Sequence, residues 1–232
     1  MKSYSLRTLL ILAFVSVSTL GFNQTRNLKA FDKIDASSGV KVNLIQSNDH
    51  KVDITMKKGE VDNVVTEVKN GTLYLKYKKN GMFNWGNKTS AEFVVYYTNL
   101  DGIEVSSGST LTAENEVASQ NMEIEVSSGS TCKIELVAEK VDVEVSSGST
   151  LMLRGETDAL SVEVSSGSTF NGQDFKAERV DVEASSGSTA KVWALRQIEA
   201  NASSGSSIKY KGNPSKKDLS AGKYSGGSIK EM

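Results

Sequence analysis

The chain has 232 residues, with 27 Lys and Arg against 28 Asp and Glu, a formal net charge of -1, one histidine and one cysteine. That balance argues against nucleic acid, which requires a concentrated basic surface, and a lone Cys132 excludes an intramolecular disulfide. The length suits one medium domain or two small ones.

Taken in chain order, Lys2 and Arg7 precede a short apolar run, Leu9 to Val17, and small or polar residues follow. This layout predicts a secretory signal peptide over residues 1–21, cut after Gly21, because the run is too short to span a bilayer. Its removal takes away two positive charges and brings the net charge from -1 to -3. No cysteine stands near the end of the run to accept a lipid there, and no later segment is apolar over a membrane-spanning length.

Residues 22–100 are expected to form a β region that caps a solenoid. Phe31-Asp-Lys-Ile34 leads into a corner, Ala36-Ser-Ser-Gly39. Val40–Leu44, Lys51–Met56, Val64–Val68, Thr72–Tyr77 and Glu92–Tyr97 then read as strands, with Asn70-Gly71 as a hairpin turn. His50 falls in the turn Ser47–His50 with no evident catalytic partner. The loop Lys78–Ser90 carries Phe83 and Trp85 amid Gly and Asn. These aromatics either form an interaction tip, since Trp platforms serve sugars and proteins alike, or fold back onto the cap.

Residues 101–232 form the repeat region. EVSSGST recurs at Glu104–Thr110, Glu125–Thr131, Glu144–Thr150 and Glu163–Thr169. It continues as EASSGST at Glu183–Thr189, NASSGSS at Asn201–Ser207 and a worn SGGS at Ser225–Ser228. The corner glycines 108, 129, 148, 167, 187, 205 and 226 are spaced by 21, 19, 19, 20, 18 and 21 residues. A period of about 20 marks a solenoid in which each turn stacks on the last. Strict alternation in Met122–Val126, Val141–Val145 and Val180–Ala184 assigns strands rather than helices. The expected fold is therefore all-β, a single-stranded, right-handed β-helix-like solenoid with a small N-terminal β cap.

Three inward columns align in this register: Ile103, Ile124, Val143, Val162, Val182 and Ala200; Val105, Val126, Val145, Val164, Ala184 and Ala202; and Leu111, Cys132, Leu151, Phe170, Ala190, Ile208 and Ile229. Cys132 thus reads as a small buried hydrophobe. Glycine at each corner suggests a positive φ or backbone crowding, and the serines suit the bonding of local backbone groups. Trp193 follows inward Val192 and should face outward. Glu104, Glu125, Glu144, Glu163 and Glu183 should point outward one above another. They form either a cation-binding or recognition stripe or a solvated face, and no compact Asp-rich loop supports a calcium site.

The opening Phe31–Ile34 with Val40–Gln46, the hairpin with Asn70–Leu75, the serial S-S-G-S corners and the ending Tyr210–Pro214 with Ser225–Ser228 resemble the putative auto-transporter adhesin, head GIN domain family, over residues 28–232. The corners here read S-S-G-S where that family often has S-G-S-G. The resemblance implies an exported β-helix-like protein at or near the cell envelope, in the periplasm, on the outer surface or outside the cell. It brings no catalytic residues, ligand or partner with it.

The functional expectation is a non-catalytic envelope adhesin or scaffold that binds a glycan or a surface protein. An assembly module of the envelope is the alternative, and a polysaccharide lyase or hydrolase a further one, which would need clustered acids and bases on one groove. No catalytic residue, cofactor or metal ligand is assigned, and no partner nucleic acid is expected.

Overall fold

The computed structural model of the protein describes residues 23–78, 89–222 and 226–232. Residues 1–21, expected to form a signal peptide, and the aromatics Phe83 and Trp85 lie outside the described residues. What is described is an all-β solenoid with coils of about 19 residues. A 3-10 turn at Val61–Asn63 is its one helical element among the described residues.

The N-terminal strands are β1 (Asn23–Asn27), β2 (Lys33–Ala36), β3 (Lys41–Gln46), β4 (Lys51–Lys58), β5 (Val64–Lys69), β6 (Thr72–Tyr77) and β7 (Ser90–Tyr97). They are followed by β8 (Gly102–Val105), β9 (Thr110–Ala113), β10 (Val117–Val126), β11 (Thr131–Val145), β12 (Thr150–Val164), β13 (Thr169–Ala184), β14 (Thr189–Ala202), β15 (Ser207–Lys211), β16 (Lys216–Ala221) and β17 (Ser228–Glu231). All belong to one continuous sheet. β11 runs from one corner to the next without a break, and its in–out alternation slips only at Glu139-Lys140, where two consecutive residues are exposed. That slip is how the strand bends onto the next side of the coil.

Two faces meet at each S-S-G-S corner. On the first face, ahead of the corner, parallel pairing stacks Leu73, Ile34, Ile103, Ile124, Val143, Val162, Val182, Ala200 and Leu219. On the second face, beyond the corner, the column is Phe93, Val42, Leu111, Cys132, Leu151, Phe170, Ala190, Ile208 and Ile229. The columns expected from the repeats are therefore in register, and the N-terminal strands extend them. Every member down to Ala200 and Ile208 is buried. Each fully buried aliphatic or phenyl side chain stabilises the fold by about 1.5–3 kcal/mol, so stability accumulates coil by coil. Cys132 is wholly buried in its column, and burial pushes its thiol up to about 12, which leaves it inert.

The corners owe their shape to two consecutive left-handed residues. The second serine of each has φ between 50° (Ser204) and 70° (Ser38), and the following glycine between 70° (Gly129) and 76° (Gly39). A Cβ on Gly108, Gly129, Gly148, Gly167, Gly187 or Gly205 would meet nothing within 4 Å. The demand for glycine there is conformational, not steric. Gly108, Gly129, Gly148, Gly167 and Gly187 each donate their N–H to a serine carbonyl on the next coil, as Gly148 does to Ser166 at 3.0 Å, whereas Gly39 donates to the Ser109 hydroxyl. The fourth residue of the corner turns inward. Ser149, Ser188 and Ser206 are each 1% exposed and donate their hydroxyls to the carbonyls of Val126, Val164 and Ala184 on the coil before.

At the N-terminal end the order in space departs from the order in the chain. The coil made by β6 and β7 lies outside the coil made by β2 and β3, so β2 sits between β6 and β8, and β3 between β7 and β9. β5 then covers the outer edge of β6, and β4 that of β7, both antiparallel, and β1 adds to β4.

Candidate recognition faces

The expected glutamate row exists and lies on the first face. Glu104, Glu125, Glu144, Glu163 and Glu183 are register partners in succession, and all are exposed. The structure extends the row: Asp35 and then Tyr74 stand before Glu104, while Asn201 and Ser220 follow Glu183. Period-two alternation forces this, because each acid precedes an inward Val or Ala.

A second acidic row runs two residues upstream through Glu123, Asp142, Ser161, Asp181, Glu199 and Asp218. Sequence reasoning missed it, although its signal is plain in the pairs Glu123/Glu125, Asp142/Glu144 and Asp181/Glu183. The first face is therefore a carboxylate surface on alternate positions. Its counter-charges are few and peripheral: Lys33 pairs with Glu123 at 3.0 Å and Lys140 with Asp142 at 2.7 Å, both exposed pairs of small worth.

Two depressions follow the glutamate row. One of about 250 Å³ is lined by Asp35, Tyr74, Glu104, Glu125 and the Lys33–Glu123 pair. It opens because Gly102 stands between Lys33 and Glu123 in the register, and the Lys33 stem lies across the place a Cβ would take. The other, of about 110 Å³, is lined by Glu144, Glu163, Glu183 and Asn201 together with the first serines of three corners, Ser165, Ser185 and Ser203. Both are smaller than the hollows of about 300–1,000 Å³ that enclose small-molecule ligands. They suit a partner laid across the face.

Electrostatics single out the first depression. Burial pushes the Asp35 carboxyl above the usual carboxylate range, opposed by Lys76 and by a hydrogen bond with the Ser37 side chain. Burial raises Glu104 as well, helped by the negative charges of Asp35 and Glu125. Among the described residues no group of three or more His, Cys, Asp or Glu side chains is placed to hold a metal ion.

His50 is held structurally: its Nε2 lies 3.0 Å from the Thr98 hydroxyl and its ring stands edge-on to Phe31 at 4.8 Å. Trp193 lies on the outer side of the second face, as expected, but half-buried between lysines. No helix among the described residues is long and apolar enough to cross a membrane.

A family model described as "Putative auto-transporter adhesin, head GIN domain" matches residues 30–214. Solved structures share the fold. A putative adhesin from Bacteroides fragilis superposes with a TM-score of 0.83 at 23% identity, covering 93% of this chain and 98% of its own. A putative adhesin from Parabacteroides distasonis gives 0.70 at 15% identity, covering 91% and 96%. A protein of the same organism described as a putative lipid binding protein gives 0.67 at 18% identity, also covering 91% and 96%. No curated protein matches the chain.

Proposed function

Because the chain belongs to the putative auto-transporter adhesin, head GIN domain family, we propose that it works as an exported, non-catalytic scaffold of the cell envelope that binds a glycan or a protein across its outer faces. Residues 1–21 direct export in this reading and are removed, which mass spectrometry of the secreted chain tests by an N-terminus at Phe22.

One observation carries the proposal: outward side chains repeat in register for the length of the stack, and the depressions among them are shallow and aligned with the glutamate row. Equivalent residues on adjacent coils stand about 4.8 Å apart, so a repetitive partner can make the same contact several times. Among the described residues the inward columns are filled by buried side chains, which directs binding to the outer faces. A lipid would have to be met at the surface too. Catalysis has little support, because His50 is engaged by Thr98 and Phe31 and the carboxylates form rows, not an isolated acid–base pair.

The test is a binding screen of the purified protein against glycans, envelope fractions and matrix proteins, with soluble products analysed in the same wells. Saturable binding without new products, weakened by Glu144→Gln with Glu163→Gln or by Trp85→Ala, is the expected result. Absence of binding would transfer the weight to an assembly module, and a released product would overturn the non-catalytic reading.

A further inference from the structure

The second face carries charge of the opposite sign at one end. Its outward row runs Thr112, Lys133, Met152, Asn171, Lys191, Lys209 and Lys230. The last three are lysines stacked on successive coils, and among the described residues none of them forms an ion pair. One row across, Lys176, Trp193 and Lys211 are register partners. The Lys211 ammonium lies 4.0 Å from the centroid of the Trp193 ring and the Lys176 ammonium 5.2 Å from it. Lys211 also approaches Asp174 at 3.7 Å, the one carboxylate paired with the group among the described residues. Two ammonium groups thus flank one half-buried indole, and three more stack in the row beside it, on the far side of the corner from the two acidic rows.

We propose that this surface binds an acidic polysaccharide, with carboxylate or sulfate groups spaced along the row Lys191–Lys209–Lys230 and a sugar ring packed beside Trp193. Unpaired like charges at the inter-strand spacing of about 4.8 Å repel one another, and a ligand bringing negative charge to each coil relieves that repulsion. The cation–π contacts hold Lys176 and Lys211 in place, so less side-chain freedom is lost on binding.

The patch contains lysines and no arginine. That favours single-point contacts to spaced anionic groups over the bidentate grip on phosphate that arginine provides. Its small extent beside an acidic face fits a slender polyanion lying on one face, and disfavours a broad anionic bilayer. The proposal rests on the reading of the solenoid as a binding scaffold and assigns a ligand class to a second surface of it.

The test uses the full exported chain, with polygalacturonate as probe and dextran, phosphatidylglycerol vesicles and single-stranded DNA as comparisons, by titration calorimetry at low and physiological salt. Saturable binding to polygalacturonate that weakens with salt is expected, with none to dextran. The triple variant Lys191→Gln, Lys209→Gln, Lys230→Gln should lose about tenfold in affinity, while Lys58→Gln with Lys69→Gln, at exposed lysines of the N-terminal cap, leaves it unchanged. Lys209 and Lys230 are exposed, so the triple variant should fold, and an unchanged melting curve checks this. Trp193→Phe, which keeps a ring, should bind more weakly than wild type and better than Trp193→Ala. Binding unaltered in the triple variant, no binding to polygalacturonate, or equal or tighter binding to vesicles or DNA overturns the assignment. A chain that still binds an envelope glycan while failing here loses only this site and keeps its broader role.

Discussion

From β10 to β15 each coil stacks on the coil just before it in the chain, whereas at the N-terminal end β6 and β7 pass outside β2 and β3, and β8 and β9 stack on β2 and β3. The regular coils are tied by identical corners and repeated inward residues, so register follows from the sequence period. The outermost coil has no S-S-G-S corner between β6 and β7, and it is finished by antiparallel neighbours, β5 and β4. Repetition builds a parallel stack; ending one takes a different pairing, because each parallel coil exposes a new edge.

Both regions nevertheless share one core, which gives the largest prediction. Phe93 and Phe170 occupy the same column, one near the cap and one among the repeats, and both are buried. Phe93→Ala and Phe170→Ala should each cost about 4 kcal/mol in urea unfolding, within a single transition. Two separated transitions, with Phe93→Ala lowering only the first, would mean that the ends unfold independently.

Within the repeats, two glycines of one coil separate sterics from conformation. Gly155 and Gly148 both have positive φ, 110° and 70°. A Cβ on Gly155 would overlap the Leu136 carbonyl oxygen on the neighbouring coil, while one on Gly148 meets nothing. Gly155→Ala should therefore cost about 3 kcal/mol or more, and Gly148→Ala about 1 kcal/mol from backbone conformation alone. Ser147, left-handed without being glycine, should gain about 0.5 kcal/mol on Ser147→Asn, since asparagine tolerates that conformation better. Equal costs for the two alanine variants would refute the steric account of Gly155.

The same contrast explains what could be read from the sequence. Strand identity was legible nearly everywhere: Lys51–Met56 and Thr72–Tyr77 appear as β4 and β6, and all three repeat columns hold. Spatial order at the N-terminal end was not, because which strand neighbours β2 depends on long-range pairing that no local pattern carries. The glutamate row was legible from its period. Asp35 at its head was not, since Lys33–Ala36 lacks the E-V-S-S wording, and its place became visible only through the pairing of β2 with β8. The left-handed serines were hidden as well, because serine does not advertise a positive φ as glycine does. The lysines around Trp193 come from β13, β14, β15 and β17, so only stacking brings them together.

The acidic row should respond to salt where the cap does not. Neighbouring carboxylates at the coil spacing repel by roughly 0.9 kcal/mol in bulk-like water without salt, and screening at about 0.15 M reduces this to a fraction. Glu144→Gln with Glu163→Gln should raise stability at low ionic strength by about 0.5 kcal/mol, and the gain should shrink as salt is added. A gain independent of salt would point to causes other than charge.

The smallest effect lies where the two regions join, at Asp35. Its ordinary carboxylate value is about 3.9, and burial raises it in the folded state against the opposing influence of Lys76 and Ser37. Between the two values the folded chain holds more proton than the unfolded one, so stability falls as pH rises through that window and the loss is complete above it. Asp35→Asn removes the ionisation and should stabilise the protein at pH 7 by about 0.3 kcal/mol, a figure discounted for partial exposure. The advantage of the variant should vanish once the pH drops below about 3.9, where the wild-type carboxyl is neutral in both states. Taking the difference between the two proteins at each pH cancels the titration of the surface acids. If the wild type is instead the more stable at pH 7, Lys76 outweighs burial, and the head of the acidic row is an ion pair rather than a desolvated carboxylate.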